Sequence, residues 1–423
     1  MTESALSDEA DALYQRLGGI EPWAAVEPGG VPVLGLPTAG DDLAWAELVA
    51  RGALLATAHQ SGALDGMHGG DRAIASALLR GRMSLGEVTE DVRAHVHANF
   101  EALQLAQMAT HAELRSERWM RKVHAVACRP QLTHPVRGEG GVHDHVLATG
   151  DFKHHPNHSR SRSGTWTAHA PVSVLATEMG RFLDVLGSEA FAALAPVVQA
   201  AYADHGLTHV APFADGNGRV ARVVAGAHLL ASAAVPLLIW ADQASDYEDV
   251  LVAADAGDAA ALVGFVAERC RDTVELVGAL RSRGPSSPDE AAALGRWRAR
   301  ADAAAVLAVR LPGWVDDALG RHRRRADLGW LSPLSDATAT VDTSGSVVVR
   351  EPETGVDERI EVDTHPVLDE DTLVLQAVEA RLRLPAEPGE LRPSVSHTFR
   401  SRCDAWLDRT VTTLALRVAA EED

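Results

Sequence analysis

The sequence is poor in cysteine and in aromatic residues, and the cysteines restrict what the protein can be. Three of the 423 residues are cysteines and 4% are aromatic. Cys128, Cys270 and Cys403 lie far apart and form neither a CxxC pair nor any other metal-ligand spacing. This pattern argues against a disulfide-stapled secreted domain and against a cysteine-bound metal, and it favours a reduced intracellular compartment.

Long hydrophobic runs and export signals are also lacking. The longest apolar stretch, residues 223–240, contains His228, Ser232 and Pro236. It therefore predicts a buried helix that ends near the proline, not a membrane span. The N-terminus has no basic region followed by an apolar one, the pattern of a signal peptide. We therefore expect a cytoplasmic protein without a membrane partner.

Positive charge is scarce relative to negative charge. The 39 lysines and arginines stand against 59 aspartates and glutamates, for a formal net charge of -20. Such a surface repels a phosphate backbone, so we expect no nucleic-acid partner. A local basic pocket that holds a nucleotide phosphate remains compatible with this balance. The length is sufficient for two or three globular domains.

Helical periodicity dominates the chain. Residues 1–44 form an N-terminal segment that is loosely patterned to about residue 40. From Leu43 apolar residues recur at helix-face spacing until a stop near Gly62 or Gly66. The same spacing predicts further helices over residues 88–108, 117–128, 172–186, 191–205, from Arg219 onward, 250–280, 291–325 and 398–419. The first part of the chain is therefore predicted to be mainly α.

The chain changes character after residue 280. Residues 284–288, Gly-Pro-Ser-Ser-Pro, are typical of a linker. Beyond them, residues 347–349 and 360–362 flank the turn sequence Pro352–Gly355, which predicts a β-hairpin. The sequence thus predicts a small C-terminal α+β domain over residues 285–423, to which we assign no role.

Residues 130–167 have no periodicity and are rich in glycine, histidine, proline and serine. Loops of this length in compact domains are usually functional or disordered. The histidine spacings fit no recognised ligand pattern, so we do not favour a zinc site there. The histidines concerned are His143, His145, His154, His155 and His158.

A glycine-rich segment carries the strongest chemical signal. Gly216 and Gly218 flank Asn217 between two apolar helices, an arrangement that allows a tight backbone turn. The unpaired N–H groups at the start of the second helix then form a cradle for an anion. Arg219 and Arg222 share one helix face and match the oxygens of a polyphosphate. Asp215 adds an oxygen ligand of the kind that Mg²⁺ uses together with substrate phosphates.

At these residues the sequence resembles a known family. Residues 213–219, Phe-Ala-Asp-Gly-Asn-Gly-Arg, followed by Arg222, are similar to the Fic (Fido) motif, His-x-Phe-x-Asp/Glu-Gly-Asn-Gly-Arg-x-x-Arg. Residues 246–248 and 253–258 look like the family's segment after the motif helix. Gly150 to Lys153 looks like the start of its flap, with lysine in place of the usual arginine. The resemblance covers about residues 45–280.

The resemblance implies a fold, an activity and roles for individual residues. The fold is a mostly helical Fic core with a flap loop or hairpin, and the activity is transfer of AMP from ATP to a hydroxyl of a target protein. Residues 159–164 would either belong to the target-docking flap or form a simple mobile loop. The implied roles are Mg²⁺ binding by Asp215, phosphate binding by Gly216, Asn217, Gly218, Arg219 and Arg222, and anchoring of the loop by Phe213.

The first position of the motif lacks its histidine. Ala211 stands where the family has the general base that takes the proton from the attacking hydroxyl. A positioned base contributes on the order of 10²–10⁴-fold, and alanine cannot supply one. His209 lies two residues earlier, so its side chain should point elsewhere, and a core or interface role is favoured for it and for His205. The chain is an inactivated enzyme, a natural nucleotide-binding pseudoenzyme, or an enzyme with a different base.

A second motif precedes the Fic core. Residues 61–66, Ser-Gly-Ala-Leu-Asp-Gly, resemble the family's inhibitory motif, Ser/Thr-x-x-x-Glu-Gly/Asn. The resemblance implies that Ser61, Asp65 and Gly66 belong to an inhibitory helix whose acidic residue pairs with Arg222 and blocks the terminal phosphate of ATP. Aspartate is one methylene shorter than glutamate, which makes a bidentate pair less certain. The alternative is a plain helix end with Asp-Gly as its stop signal.

A basic cluster lies in the C-terminal part. Residues 321–325, Arg-His-Arg-Arg-Arg, stand out in an acidic chain. They are expected either to bind an acidic partner or neighbouring domain, or to form a solvated face, which is the usual role of such runs.

Overall fold

The computed structural model divides the chain into two compact units, residues 1–290 and 291–423. The division falls within a helix, a few residues beyond the linker indicated by the sequence. The structure describes residues 14–35, 37, 42–138, 141–160, 166–326, 334, 336–341, 346–352, 355–363, 372–377, 381–385 and 397–422.

The first unit is built mainly of helices. Short 3₁₀ turns at Leu85–Glu87 and Ala241–Gln243 connect some of them. The helices are α1 (Glu21–Ala24), α2 (Leu43–Leu64), α3 (Arg72–Leu79), α4 (Glu90–Met108), α5 (His111–Leu114), α6 (Glu117–Ala127), α7 (Leu175–Leu186), α8 (Glu189–Ala192), α9 (Pro196–Val210), α10 (Asn217–Ala233), α11 (Ala244–Asp255) and α12 (Ala259–Arg283).

Two predicted helices are each divided in the structure. The helix expected over residues 191–205 becomes α8 and α9, because Pro196 begins a new helix at its first position. The helix expected over residues 250–280 becomes α11 and α12. Gly257, at φ 96°, ends the first, and the Asp258 side chain caps the second by accepting a hydrogen bond from the Ala261 amide.

Two antiparallel hairpins lie between α6 and α7, where the sequence had no periodicity. Strand β1 (Thr133–Gly138) pairs with β2 (Gly141–Val146), and β3 (His158–Arg160) pairs with β4 (Trp166–Ala168). The second hairpin follows the Gly150–Lys153 segment, which is a turn and not itself a strand.

The core of the first unit surrounds α9 and α10, which pack against each other along their length. Large side chains that are 1% exposed or less fill this region, among them Phe182, Tyr202 and Phe213. Gly206 allows the close packing, since a Cβ there would lie 2.4 Å from the Phe182 ring. The loop between α9 and α10 is therefore held on a rigid pair of helices.

The second unit combines a sheet with two long helices. The sheet is antiparallel with the strand order β5-β6-β7-β8-β9, and Val347 lies opposite Ile360 in the predicted hairpin. Val315, Val349 and Phe399 belong to its buried core. Its elements are α13 (Pro288–Ala326), β5 (Thr338–Val341), β6 (Val347–Arg350), β7 (Asp357–Asp363), β8 (Thr372–Gln376), β9 (Arg381–Pro385) and α14 (His397–Glu422).

In the part of the chain that the structure describes, no helix combines the length and the hydrophobicity needed to cross a bilayer. The stretch 223–240 lies mostly in α10 and continues as buried extended chain past Val235.

Candidate nucleotide-binding site

The glycine-rich segment forms a tight loop between α9 and α10. Ala211 ends α9 in the left-handed region, with φ 45° and ψ 65°, and Gly216 precedes α10 with φ 76°. The first N–H groups of α10 have no partner within the helix and lie at the positive end of its dipole. The loop therefore places a helix end of the kind that can receive an anion beside the residues of the motif.

Two asparagines fix the backbone of this loop. The Asn217 side chain accepts from the Phe213 amide and donates to the Phe213 carbonyl, both at 2.8 Å. Asn157, which precedes β3, donates to the carbonyls of Phe213 at 2.8 Å and of Ala211 at 3.2 Å. The chain just before β3 is thereby hydrogen-bonded directly to the loop.

His124 of α6 contacts the loop through ring stacking and a hydrogen bond. Its ring stacks on Phe213 with centroids 3.9 Å apart, and its Nε2 donates to the Asp215 carbonyl at 3.0 Å. Its Nδ1 accepts from the Gly150 amide at 2.8 Å. These bonds require a neutral ring, and burial lowers the pKa of His124 to about 4. Gly150 thus positions the histidine beneath the motif.

Asp215 is connected to the first motif arginine through a glutamine. One carboxylate oxygen accepts from the Gly216 amide and the other from Gln131 Nε2, both at 2.7 Å. Gln131 Oε1 in turn accepts from Arg219 Nη2 at 2.5 Å. The amide group of Gln131 therefore orients the carboxylate and the guanidinium group at once.

Asp65 bridges both motif arginines. It caps the end of α2, and its side chain is 17% exposed. Its Oδ2 accepts from Arg219 Nε at 2.9 Å, while its Oδ1 accepts from Arg222 Nη2 at 2.6 Å. The sequence comparison anticipated a pair with Arg222 alone. The short side chain instead gives one oxygen to each arginine.

The last turn of α2 completes the contacts of Arg222. Arg222 Nε donates to Ser61 Oγ and its Nη2 donates to the Ser61 carbonyl, both at 2.9 Å. Burial opposes ionisation of Asp65, but Arg222 and then Arg219 outweigh it and hold the pKa of that carboxyl below its ordinary value. Gly66 follows with φ 74°, so the helix ends where the acid is needed.

Gly218 allows this close approach. A Cβ at this position would lie 2.8 Å from Arg222 Nη1 and 3.1 Å from Asp65 Oδ1. At Gly216, which has a positive φ, a Cβ would lie 2.3 Å from the Cys128 sulfur. Space therefore requires glycine at both positions, and at Gly216 the backbone conformation requires it as well.

A buried acid lies behind the arginines. Tyr247 donates to Asp204 Oδ2 at 2.6 Å, and Asp204 is fully buried. Burial raises the pKa of Asp204 to about 6, against the smaller opposing effects of the Tyr247 hydrogen bond and the Arg222 charge.

The position of the missing base is enclosed. Ala211 is 2% exposed, and the neighbouring Pro212 carbonyl accepts from the Lys153 amide at 2.8 Å. The buried Lys153 ammonium donates to Asn157 Oδ1 at 2.5 Å. Lys153 therefore helps to hold the loop, directly through Pro212 and indirectly through Asn157.

His209 is engaged away from the loop. Its Nδ1 donates to Asp255 at 2.6 Å and its Nε2 donates to the Gln15 carbonyl at 2.7 Å. Burial disfavours a charged ring, but Asp255 outweighs it and raises the pKa of His209 above its ordinary value. With both nitrogens donating, this histidine has no lone pair with which to act as a base.

Several site residues could not be found from the motif. Gln131, His124 and Asn157 lie more than 50 residues before its first position, Ala211, and outside any recognisable pattern. For Gln131 and Asn157 the one signal was an amide side chain in an aperiodic stretch, which is a candidate for bonding to a loop backbone.

The other candidate features lie elsewhere. His143 and His145 are exposed on β2, and the flap segment 159–164 falls mostly outside the described residues. In the second unit, the basic cluster 321–325 forms internal contacts. Arg321 pairs with Asp404 at 3.1 Å and with Asp408 at 2.8 Å.

Comparison with known proteins finds a family model and several relatives that match part of the first unit. Residues 116–229 match the model of the Fic/DOC family. The chain is 39% identical over 102 residues to a protein adenylyltransferase Fic of Drosophila willistoni and 38% identical over 102 residues to that of Drosophila virilis. These matches cover 24% of this chain and 20% and 21% of the relatives. The chain thus spans about a fifth of the length of the curated relatives it matches.

Comparison with solved structures finds proteins described as Fic proteins. A Fic-domain-containing signalling protein from Bacteroides thetaiotaomicron has a TM-score of 0.47 at 17% identity, covering 58% of this chain and 92% of that one. Fic-1 from C. elegans has a TM-score of 0.45 at 18% identity, covering 66% of this chain and 74% of that one.

Proposed function

We propose, on the premise that residues 116–229 form a domain of the Fic/DOC family, that this protein binds ATP with Mg²⁺ in the motif loop. Its reaction type is that of a protein adenylyltransferase, which passes AMP from ATP to a hydroxyl of a target protein. In the chain as it stands, Asp65 occupies the phosphate site and Ala211 leaves the reaction without its base.

The observation that carries the proposal is the Asp65 carboxylate between the two arginines. A carboxylate and a phosphate present similar oxygens to guanidinium groups. Arg219 and Arg222 are 0% and 5% exposed, so two positive charges lie buried and directed at one anion. A pocket that already holds an anion in this manner suits the terminal part of a polyphosphate.

The residues present also fit a magnesium ion. Asp215 offers a carboxylate held by the Gly216 amide and by Gln131, beside the helix end that would receive the phosphates. Mg²⁺ is usually bound by one or two carboxylates together with substrate phosphates. When bound, it would neutralise phosphate charge, while the α10 amides, Arg219 and Arg222 orient the chain of phosphates.

Chemistry requires a proton acceptor that the loop lacks. The attacking hydroxyl must lose a proton as its oxygen bonds to the α-phosphorus and pyrophosphate leaves. Ala211 has only a methyl group at the motif's base position. Both ring nitrogens of His209 donate hydrogen bonds, one to Asp255 and one to the Gln15 carbonyl. We therefore expect binding without efficient transfer.

Asp65 is assigned an inhibitory role at the same site. Ionised Asp65 satisfies both arginines, and a terminal phosphate can bind them only when the carboxylate moves away. Ser61 strengthens this closed arrangement, because it holds Arg222 through its hydroxyl and its carbonyl. ATP therefore competes with a side chain of the same protein.

A second function is favoured by the same alanine. Ala211 is buried, and its carbonyl is bonded to Asn157, so the loop is well ordered without a base. Such a domain suits a nucleotide-dependent interaction or regulatory module. In that function, bound ATP changes the position of α2, which a partner protein would then recognise.

Calorimetric titration tests the proposal. An Asp65→Gly chain titrated with ATP and Mg²⁺ should bind one equivalent, and the same chain carrying Arg219→Ala should bind far more weakly. At a hundredfold excess over the dissociation constant, binding should stabilise the fold by about 2.7 kcal/mol. Absence of binding at millimolar ATP in Asp65→Gly would contradict a nucleotide pocket.

A further inference from the structure

Outside the motif loop, two histidines and an aspartate converge at the C-terminal end of α9. His205 and His209 are four residues apart and lie on one face of this helix. Asp255, the last residue of α11, reaches both of them. His205 Nε2 lies 2.9 Å from Asp255 Oδ1, and His209 Nδ1 lies 2.6 Å from the same oxygen. The three ligand atoms lie within 4.8 Å of one another.

We propose that His205, His209 and Asp255 bind a divalent transition-metal cation, with zinc as the best match to the ligands. Two imidazole nitrogens and one carboxylate oxygen are a donor set that zinc accepts, with bonds of about 2.0–2.2 Å. Two histidines at i and i+4 on a helix are a recurrent way to supply it. The metal would replace the protons that now lie between the ring nitrogens and the carboxylate.

The separations leave room for the ion after small side-chain movements. Ligands of a tetrahedral zinc lie about 3.3–3.5 Å apart, given bonds of about 2.0–2.2 Å. The two measured N–O separations, 2.9 and 2.6 Å, would therefore widen by roughly half an ångström or more. Asp255 is 30% exposed, whereas the histidine side chains are 7% and 9% exposed. Its carboxylate is therefore the ligand best able to rotate to accommodate the ion.

Contacts around the two histidines also support a metal site. His209 Nε2 donates to the Gln15 carbonyl at 2.7 Å, on the opposite side of the ring from the proposed metal. Metal-bound histidines almost always make such a bond with their second nitrogen, which fixes the ring orientation. The Trp23 ring lies 5.2 Å from His205 and the Tyr14 ring 5.4 Å from His209. This aromatic surrounding restricts access of water to the ligands.

The charge of the helix end favours a cation as well. The last turn of α9 carries the negative end of its dipole, and His209 lies in this turn. A metal here would join α9, α11 and, through the Gln15 carbonyl, the N-terminal segment. Since Ala211 follows His209 by two residues, the ion would stabilise the start of the motif loop. It is separate from the Mg²⁺ proposed at Asp215.

Zinc titration of the full chain tests the site. After removal of metal by a chelator, the protein should take up one tightly bound equivalent of Zn²⁺, and its thermal midpoint should rise on binding. His205→Ala should weaken this binding on the order of 100-fold or more, since even loss of a supporting contact costs 10–100-fold. Asp255→Asn should also weaken it. The asparagine preserves a hydrogen-bond acceptor for the histidines, so this variant should keep the fold.

A matched control separates this site from the other histidines of the chain. His143 and His145 are exposed on β2, and their double replacement by alanine should leave the tight equivalent unchanged. Bound Co²⁺ should give the intense visible absorption of a four-coordinate or five-coordinate site in the parent chain and in this double variant, but not in His205→Ala. Equal zinc affinity in the parent and Asp255→Asn, loss of binding only in the His143/His145 variant, or no saturable binding would overturn the proposal.

Discussion

The two sides of the motif loop differ in what the chain supplies. On the side of α10, Asp215, Arg219 and Arg222 are each held by partners from outside the motif. On the side of α9, Ala211 presents a buried methyl group, and the nearest upstream histidine, His209, is bonded elsewhere. The comparison separates two tasks that a transferase combines. In the proposed function, holding a polyphosphate and removing a proton depend on different halves of one loop, and the expected residues are present in the first half alone.

The largest expected effect comes from placing a histidine at position 211, on the α9 side of the loop. Ala211→His in an Asp65→Gly background should restore AMP transfer by on the order of 10²–10⁴-fold, the usual contribution of a positioned base. Position 211 has φ 45°, and histidine is among the side chains that tolerate this region. The measurement is labelling of the protein itself, or of proteins in a lysate, from α-labelled ATP.

A triple variant provides the control for this gain. Adding Asp215→Ala removes the expected metal ligand and should abolish the label. If Ala211→His with Asp65→Gly binds ATP yet transfers nothing, the defect does not lie at position 211 and the comparison fails. If the parent chain transfers AMP and His209→Ala abolishes it, the base lies two residues upstream, against the hydrogen bonds described here.

On the α10 side of the loop, removal of a buried charge should lower the stability of the fold. Arg222→Ala leaves Asp65 with one partner and removes two bonds to Ser61, so we expect a loss of about 3–5 kcal/mol in the free energy of unfolding. Arg72→Ala is the matched control, because Arg72 and its partner Asp242 are 54% and 55% exposed and should contribute under about 1 kcal/mol. Urea unfolding measures both, and equal losses would contradict the importance of the buried pair.

The buried acid behind the arginines predicts a pH dependence. Since burial raises the pKa of Asp204 to about 6, its contribution to stability is complete below about pH 3.8 and is lost as pH rises through 6. Asp204→Asn has no such proton. The stability of the parent relative to this variant should therefore fall between pH 4 and 7, by at most about 3 kcal/mol. A constant difference across this range, measured by urea unfolding, would show that Asp204 does not titrate there.

Part of the site was accessible from the sequence because its residues are close in the chain. Asp215, Gly216, Asn217, Gly218, Arg219 and Arg222 fall within eight positions, and helix geometry determines which of them share a face. Gln131 and Asn157 depend on how the hairpins fold back onto the loop, which no local spacing encodes. The hydrogen bonding of one Asp65 carboxylate oxygen to each arginine likewise depends on the packing of α2 against α10.

The fold could be predicted where periodicity was strong. The mainly helical character of the first unit and the α+β character of the second are confirmed, including the hairpin of β6 and β7. The predicted continuous helix over residues 250–280 was wrong, because apolar periodicity persists across Gly257 while the backbone turns there. Strands β5, β8 and β9 were missed, whereas the equally short β6 was found because it has three consecutive valines and a turn sequence after it.

The central claim is that Asp65 occupies the place of a terminal phosphate, and comparison of ATP affinities tests it most directly. Calorimetric titration of the parent chain and of Asp65→Gly with ATP and Mg²⁺ gives the two dissociation constants. Hydrogen bonds to charged groups contribute about 1.5–3 kcal/mol each, so removal of the competing carboxylate should tighten ATP binding by about tenfold or more. Equal dissociation constants in the two proteins would mean that Asp65 only ends a helix, and would contradict the claim.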